Sequence, residues 1–203
     1  TEVINFCASQ RNFKNYLEIG VRNPADNFDK IQVTNKTSVD PGIEFVTNPV
    51  THKMTSDAFY ELWSKNKMAH FDLIFIDGLH LAEQVARDIS NAIDMTTENG
   101  VIVLHDCNPP HQIFAREDFT KDGPAGGAWN GTTYKAAWEY AFKGAYETRI
   151  IDCDYGVGVI DKSKPKSPTE NPNRYFEWNK FETIRETSGL LIIRLNSKHG
   201  FFQ

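Results

Sequence analysis

Two stretches of the chain join an apolar run to a knot of acids and imidazoles: Phe71–His80 reads FDLIFIDGLH and Val101–Pro109 reads VIVLHDCNP. Imidazole is the side chain best suited to moving protons near neutral pH, and His80 follows Asp77 by three residues, close enough to share a pocket if the loop turns into a helix. His105-Asp106, taken with Asp77, offers one imidazole and two carboxylates, a donor set for a divalent ion that leaves positions open to substrate oxygens. The bland alternatives are a helix-capping His80 and a metal-free polar cluster in which His105 and Asp106 orient a substrate. Both pairs of readings stay open at this point.

Two weaker signals lie upstream. Tyr16–Val21 reads YLEIGV, in which a glycine at a strand end lets backbone approach a ligand and the acid before it, Glu18, can bind an ammonium or hydroxyl group. Alone, Gly20 could be a simple turn. Asp40, in Val39-Asp40-Pro41, follows Gly20 by about one strand and a connection, and a carboxylate there suits a pair of ribose hydroxyls. Its plain alternative is an Asx-Pro turn. His52, His70, His111 and His199 have no companions of this kind.

Strands and helices must deliver these residues to one edge. Leu73-Ile74-Phe75-Ile76 is apolar on both faces, as in a parallel strand buried between helices. Ligands of open α/β sheets bind at the carboxyl ends of such strands, where Asp77 and His105-Asp106 fall. The pattern predicts strands over 15–21, 36–39, 43–46, 71–76 and 101–104. It predicts helices over 57–65, capped by Thr55 or Ser56, and 81–95, where Val85, Ile89, Ala92 and Ile93 share a face. The strand, helix and strand from 71 to 104 form a βαβ unit. Pro109–Gly131 reads as a long binding loop, offering Phe114, Phe119, Trp129 and Asn130 for substrate selection. A helix over 132–143 and an antiparallel pair, 146–153 with 156–160, close the domain. Residues 1–161 are read as that domain, and 162–203 as a Pro- and Lys-rich linker with a C-terminal helix, 175–187, packed on it or making an oligomer contact.

Composition narrows the classes. The chain has 203 residues, 40% of them hydrophobic and 24% charged, with a mean hydropathy of -0.48, enough for one α/β domain with a sizeable core. No apolar stretch is long enough to span a membrane. A net charge of -5 argues against a binder of nucleic-acid backbones. The N-terminal residues TEVINFCASQ lack the regions of a signal peptide, and Cys7, Cys107 and Cys153 form neither a CxxC nor an even disulfide set, so a cytoplasmic protein with reduced thiols is expected.

Taken in order, YLEIGV, VDP, TSDAFYEL, FDLIFIDGLHLAEQVARDI, NGVIVLHDCNP, WNGTTYKAAWEY and DYGVGVI resemble the class I S-adenosylmethionine-dependent methyltransferases. The likeness is to a small-domain family associated with sugar, polysaccharide and natural-product O-methylation, and it covers about Asn15 to Ile160. It implies a Rossmann-like, mostly parallel seven-stranded sheet with an antiparallel last strand and helices on both faces. By position it implies that Glu18 and Gly20 line the methionine end of the cofactor, Asp40 holds the ribose, Ser56 and Asp57 lie near the adenine, and Asp77 sits beneath the sulfonium. The chain is also similar to metal-dependent O-methyltransferases of the catechol and macrocin types. That likeness places Asp77, His105 and Asp106 where Mg2+ would be held, and His80 at a basic catalytic position. Two departures stand out: Gly20 is followed by Val21-Arg22-Asn23-Pro24 rather than a second glycine, and His105 replaces an acid.

The expected function is therefore O-methylation of a small hydroxylated substrate such as a sugar or glycan precursor. His80, His105 and Asp106 are the expected catalytic residues. The alternatives are an inactive cofactor-binding partner protein and a nicotinamide oxidoreductase, the latter opposed by the missing GxGxxG.

Overall fold

Side-chain alternation along the strands decides what covers each face of the sheet. The computed structural model describes residues 1–44, 49–120 and 128–192. Its strands are β1 (Asn15–Ile19), β2 (Asn35–Val39), β3 (Phe71–Ile76), β4 (Thr96–Leu104), β5 (Tyr146–Ile151), β6 (Val157–Pro165) and β7 (Leu191–Ile192), and its helices are α1 (Glu2–Arg11), α2 (Ser56–Asn66), α3 (Ala82–Met95), α4 (Thr133–Lys143) and α5 (Trp178–Thr187). Leu17, Ile19, Ile74, Ile76, Ile102 and Leu104 point to one face, where they pack with residues of α2, α3, α4 and α5 such as Phe59, Ile89, Trp138 and Phe181. Their neighbours Tyr16, Leu73, Phe75, Val101 and Val103 point to the other face, under Val3, Ile4, Cys7 and Ala8 of α1. Burial on both faces explains the unbroken apolar runs of the central strands.

The strand order is β2-β1-β3-β4-β6-β5-β7. β1 to β4 run parallel, β6 runs antiparallel to both β4 and β5, and the two-residue β7 pairs parallel with β5 at the edge. The result is a mixed, mostly parallel Rossmann-like sheet whose antiparallel member is β6, the strand expected over 156–160, and the two-residue β7 is an unexpected addition at its edge. No helix among the described residues is long and apolar enough to cross a membrane.

Several elements differ from the sequence expectation. α1 was not anticipated, although its buried Val3, Ile4, Cys7 and Ala8 have helical spacing. The segment after β1 holds only a short 3-10 turn, Phe28–Lys30, before β2, so α1 supplies the helical cover on that side. β4 starts at Thr96, directly after α3, and β6 continues to Pro165, into the expected linker. The strand expected over 43–46 falls partly outside the described residues. At the amino-terminal end of the sheet Arg11 forks onto Asp161 through two bonds of 2.8 and 2.6 Å, joining the first helix to β6.

At the opposite end the strand tips are locked in register. Gly20 N–H donates to Val39 O at 2.9 Å, Asp77 N–H to Ile19 O at 2.8 Å, and His105 N–H to Ile76 O at 3.1 Å. Gly20 has φ +87°, and a Cβ there would run into the Asp77 carbonyl and the Gly78 Cα. Glycine is required both for the backbone conformation and for this approach. Gly20→Ala should therefore cost about 2 kcal/mol or more in urea unfolding. Gly189→Ala, with φ +71° but nothing within 4 Å of its Cβ, should cost only the backbone strain of about 1 kcal/mol. Equal losses at the two sites would show that the contact with Asp77 carries no weight.

Candidate active site

Strands β3 and β4 end beside one another, and each leaves the sheet with a carboxylate. Asp77 follows β3, and Asp106 follows β4 with φ 58°, a left-handed conformation that L-residues adopt at a cost. Two acids this close would repel each other, and two imidazoles lie between them. His80 Nε2 is 3.3 Å from Asp77 Oδ1 and its Nδ1 is 3.1 Å from Asp106 Oδ2. His105 Nδ1 is 3.3 Å from Asp77 Oδ1 and 3.4 Å from Asp106 Oδ1, while its Nε2 is 3.3 Å from Asp154 Oδ2 in the β5–β6 turn.

The electrostatics follow from this packing. Burial opposes the charge on Asp77, but hydrogen bonds from His105 and His80 outweigh it and hold the carboxyl well below the usual range. Burial likewise disfavours protonated imidazoles. For His80, Asp77 and Asp106 reverse that effect and raise the ring's pKa, and for His105 hydrogen bonds to Asp106 and Asp77 do the same.

A loop from far along the chain closes over His80. Trp129 stacks on its ring at 5.1 Å between centroids, Thr132 N–H donates to His80 O at 2.8 Å, and Thr132 Oγ1 accepts from Ala82 N–H at 2.8 Å, fixing the start of α3. Gly131, with φ +59°, lies so close that a Cβ would collide with His80 O. Asn130 donates from Nδ2 to Asp106 Oδ1 at 2.5 Å. It is 2% exposed, and its carbonyl oxygen has no partner among the described residues. The sequence reading assigned no role in the cluster to Asp154 or to the Asn130 amide, because both contacts depend on distant segments folding back.

The structure therefore brings His80, His105, Asp106 and Asp77 together. The group whose donor atoms lie within 4.8 Å of one another is Asp77, His80 and Asp106. His105, expected as the third metal ligand, lies outside that group, although its Nδ1 faces the same two carboxylates.

The expected cofactor residues line the same edge of the sheet. Asp40 Oδ1 accepts from Gly42 N–H at 2.5 Å. Ser56 and Asp57 open α2, whose first turn is capped by Thr55 Oγ1 on Ala58 N–H at 3.3 Å. Both are held by Gln84 of α3, whose Nε2 is 3.2 Å from Ser56 Oγ and 3.3 Å from Asp57 Oδ1. Glu18 faces the α1 side and is 3% exposed. Its Oε2 accepts from Tyr16 Oη–H at 2.5 Å and Asn27 Nδ2–H at 2.9 Å. Burial raises this carboxyl from 4.5 to about 7, against the opposing pull of those two bonds.

A Rossmann-like sheet carrying acids at the tips of β1 to β4 has the architecture of the class I methyltransferases. Similar solved structures include an O-methyltransferase from Bacillus cereus in complex with SAH, 12% identical, covering 79% of each chain with a TM-score of 0.53. Another is the O-methyltransferase TomG from Streptomyces achromogenes, in complex with SAM and involved in tomaymycin synthesis, 13% identical over 79% of this chain and 78% of that one, also with a TM-score of 0.53. The model of a methyltransferase-domain family matches residues 6–107, half of the chain, and the protein belongs to that family. No curated protein matches it.

The raised Glu18 pKa has a measurable consequence. Between pH 4.5 and 7 the unfolded chain has released this proton while the folded chain keeps it, so stability falls as pH rises through that window and levels off above it. Glu18→Gln keeps the hydrogen-bond acceptor without the charge. It should match the wild type near pH 4.5 and exceed it by up to roughly 3 kcal/mol at pH 8. Chemical unfolding at both pH values tests this, and parallel pH profiles would reject it.

Proposed function

We propose that the protein is an S-adenosylmethionine-dependent O-methyltransferase that acts on a small hydroxylated acceptor such as a sugar or glycan precursor. The observation carrying this reading is His80, seated between Asp77 and Asp106 at the carboxyl edge of a methyltransferase-family sheet. The family match also weighs against the nicotinamide alternative.

The donor set suits the cofactor. Asp40 has one oxygen on Gly42, and its other oxygen has no partner among the described residues, which leaves it for a ribose hydroxyl pair. Ser56 and Asp57 stand at the adenine end, Glu18 and Gly20 at the methionine end, and Asp77 beneath the reacting centre. When bound, the cofactor supplies an electrophilic sulfonium methyl.

The chain's own task is to align a hydroxyl and take its proton. With His80 neutral, Nδ1–H donates to Asp106, the acceptor hydroxyl takes the place of the Nε2–Asp77 bond, and the Nε2 lone pair receives its proton. Asp77, 3.3 Å from Nε2, stabilises the imidazolium that forms. Trp129 and Thr132 fix the ring's plane and height, and His105 with Asp106 orients the acceptor. The ring then releases that proton to solvent, while the cofactor, when bound, would supply the methyl and leave as the neutral thioether.

A second reading has specific support. Asp77, His80 and Asp106 also suit a divalent ion such as Mg2+, and the Asn130 oxygen, without a partner among the described residues, belongs to the amide that holds Asp106. These residues would hold the ion, which would lower the pKa of a bound hydroxyl.

Transfer of labelled methyl groups from S-adenosylmethionine to a panel of free and nucleotide-linked sugars tests the function. Binding of NAD+ without S-adenosylmethionine would overturn it. His80→Ala should lower the rate on the order of 10²-fold or more while leaving cofactor affinity within about twofold. Undiminished turnover would remove His80 as the base. Activity abolished by EDTA and restored by Mg2+ would favour the metal reading instead.

A further inference from the structure

We propose that Tyr155, in the β5–β6 turn, selects the methyl acceptor by lying against the apolar face of the ring that carries its hydroxyl. The inference rests on the O-methyltransferase reading above and deepens it. The recognised feature is a ring face, which a sugar and a phenol both offer.

The turn is fastened to the segment that carries Asp106. Cys107 N–H donates to Gly156 O at 2.9 Å, and Asn108 N–H to Tyr155 O at 2.7 Å. Asn108 Nδ2–H donates to Asp152 Oδ1 at 2.9 Å, and a Cβ at Gly156 would collide with Asn108 N. Asp154 meets His105 through Oδ2. Tyr155 therefore follows directly on a side chain that touches the cluster, and its backbone has no freedom to leave.

The conformation is a strained one. Asp154, Tyr155 and Gly156 have φ of 46°, 61° and 90°. Glycine adopts this region freely and aspartate tolerates it, but a bulky side chain enters it only at a cost. Burial does not offset that cost, because Tyr155 stays 41% exposed. Outliers of this kind persist only where their surroundings over-determine them, and they gather at ligand sites. The Tyr155 ring meets Phe114 with centroids 6.0 Å apart and planes at 33°. Phe114 is tied to the same cluster, since its carbonyl accepts from Asn130 N–H at 3.0 Å and Asn130 holds Asp106. A wall of two aromatic rings is thus attached to His105 and Asp106, while Trp129 covers His80. Exposed apolar surface beside a polar cluster marks a ligand groove, and an aromatic wall of this kind takes the flat, apolar side of a ring.

Saturation-transfer NMR on the full chain with S-adenosylhomocysteine bound tests this, with methyl β-D-glucopyranoside and catechol as probes. The wild type should pass saturation to the ring protons of at least one probe, and the probe that receives it identifies the source of the ring. Tyr155→Ala and Tyr155→Gly should lower that signal about fivefold, and Tyr155→Phe should keep it within about twofold, with S-adenosylhomocysteine affinity unchanged in all three. An equal loss in Tyr155→Phe would assign recognition to the hydroxyl and overturn the ring-face reading. No transfer to either probe, or transfer that survives Tyr155→Ala, would overturn the proposal outright. Thermal unfolding separates recognition from packing. Tyr155→Gly removes the strain, so its midpoint should match or exceed that of the wild type and stand about 2–4 °C above that of Tyr155→Ala. A midpoint for Tyr155→Gly below the wild type would make the ring a packing element and overturn its assignment. A wild type that does not bind S-adenosylhomocysteine would instead sink the methyltransferase reading. Should Tyr155→Ala fail to fold, Tyr155→Gly carries the comparison.

Discussion

Asp77 and Asp106 leave neighbouring strands with their carboxylates only one imidazole apart. Two such charges, partly withdrawn from water, cannot coexist without cations or strong donors between them. His80 and His105 meet that demand, and much of the surrounding architecture keeps them there. Trp129 and Thr132 hold His80, Asp154 holds the far side of His105, and Asn130 holds Asp106 in its left-handed conformation. The same arrangement suits proton transfer, because a group held between two acids is stabilised as it takes up charge. Organisation of the site and its chemistry come from one electrostatic requirement.

The sheet is the rigid part of this arrangement. Leu73 to Ile76 and Val101 to Leu104 are buried on both faces, and their parallel register sets the distance between the acids that follow them. The glycine at position 20 brings the tip of β1 against Asp77, so three strand ends form one continuous edge. The helical cover is asymmetric. Four helices pack on one face, while α1 and the segment around Ile31 and Val33 cover the other.

Local signals made part of this legible in the amino-acid sequence. FDLIFIDGLH and VIVLHDCNP announce buried strands and their charged tips because hydrophobic run and polar terminus are adjacent in the chain. The spacing of Val85, Ile89 and Ala92 likewise fixes α3. α1 escaped notice because its opening residues invited comparison with export signals, although Val3, Ile4, Cys7 and Ala8 carry a helical repeat. The partners of Asp106 were hidden for another reason. Asn130 and Asp154 reach it, directly or through His105, only after a long loop and a hairpin fold back, and no periodicity encodes such a return. The exchange of His105 for His80 among the ligand-capable groups has the same origin, since ring orientation is set by Asp154 and Trp129.

The fork between Arg11 and Asp161 links points 150 positions apart, and it gives the order of synthesis a physical meaning. The first helix leaves the ribosome early, but its resting place is built in part from Val157 and Val159. Until those residues emerge, the nascent chain must carry an apolar helix without its full seat, a period in which chaperone capture or aggregation competes with native docking. Contacts between segments this distant in the chain are the ones that slow folding, because the loop between them must close before they can form.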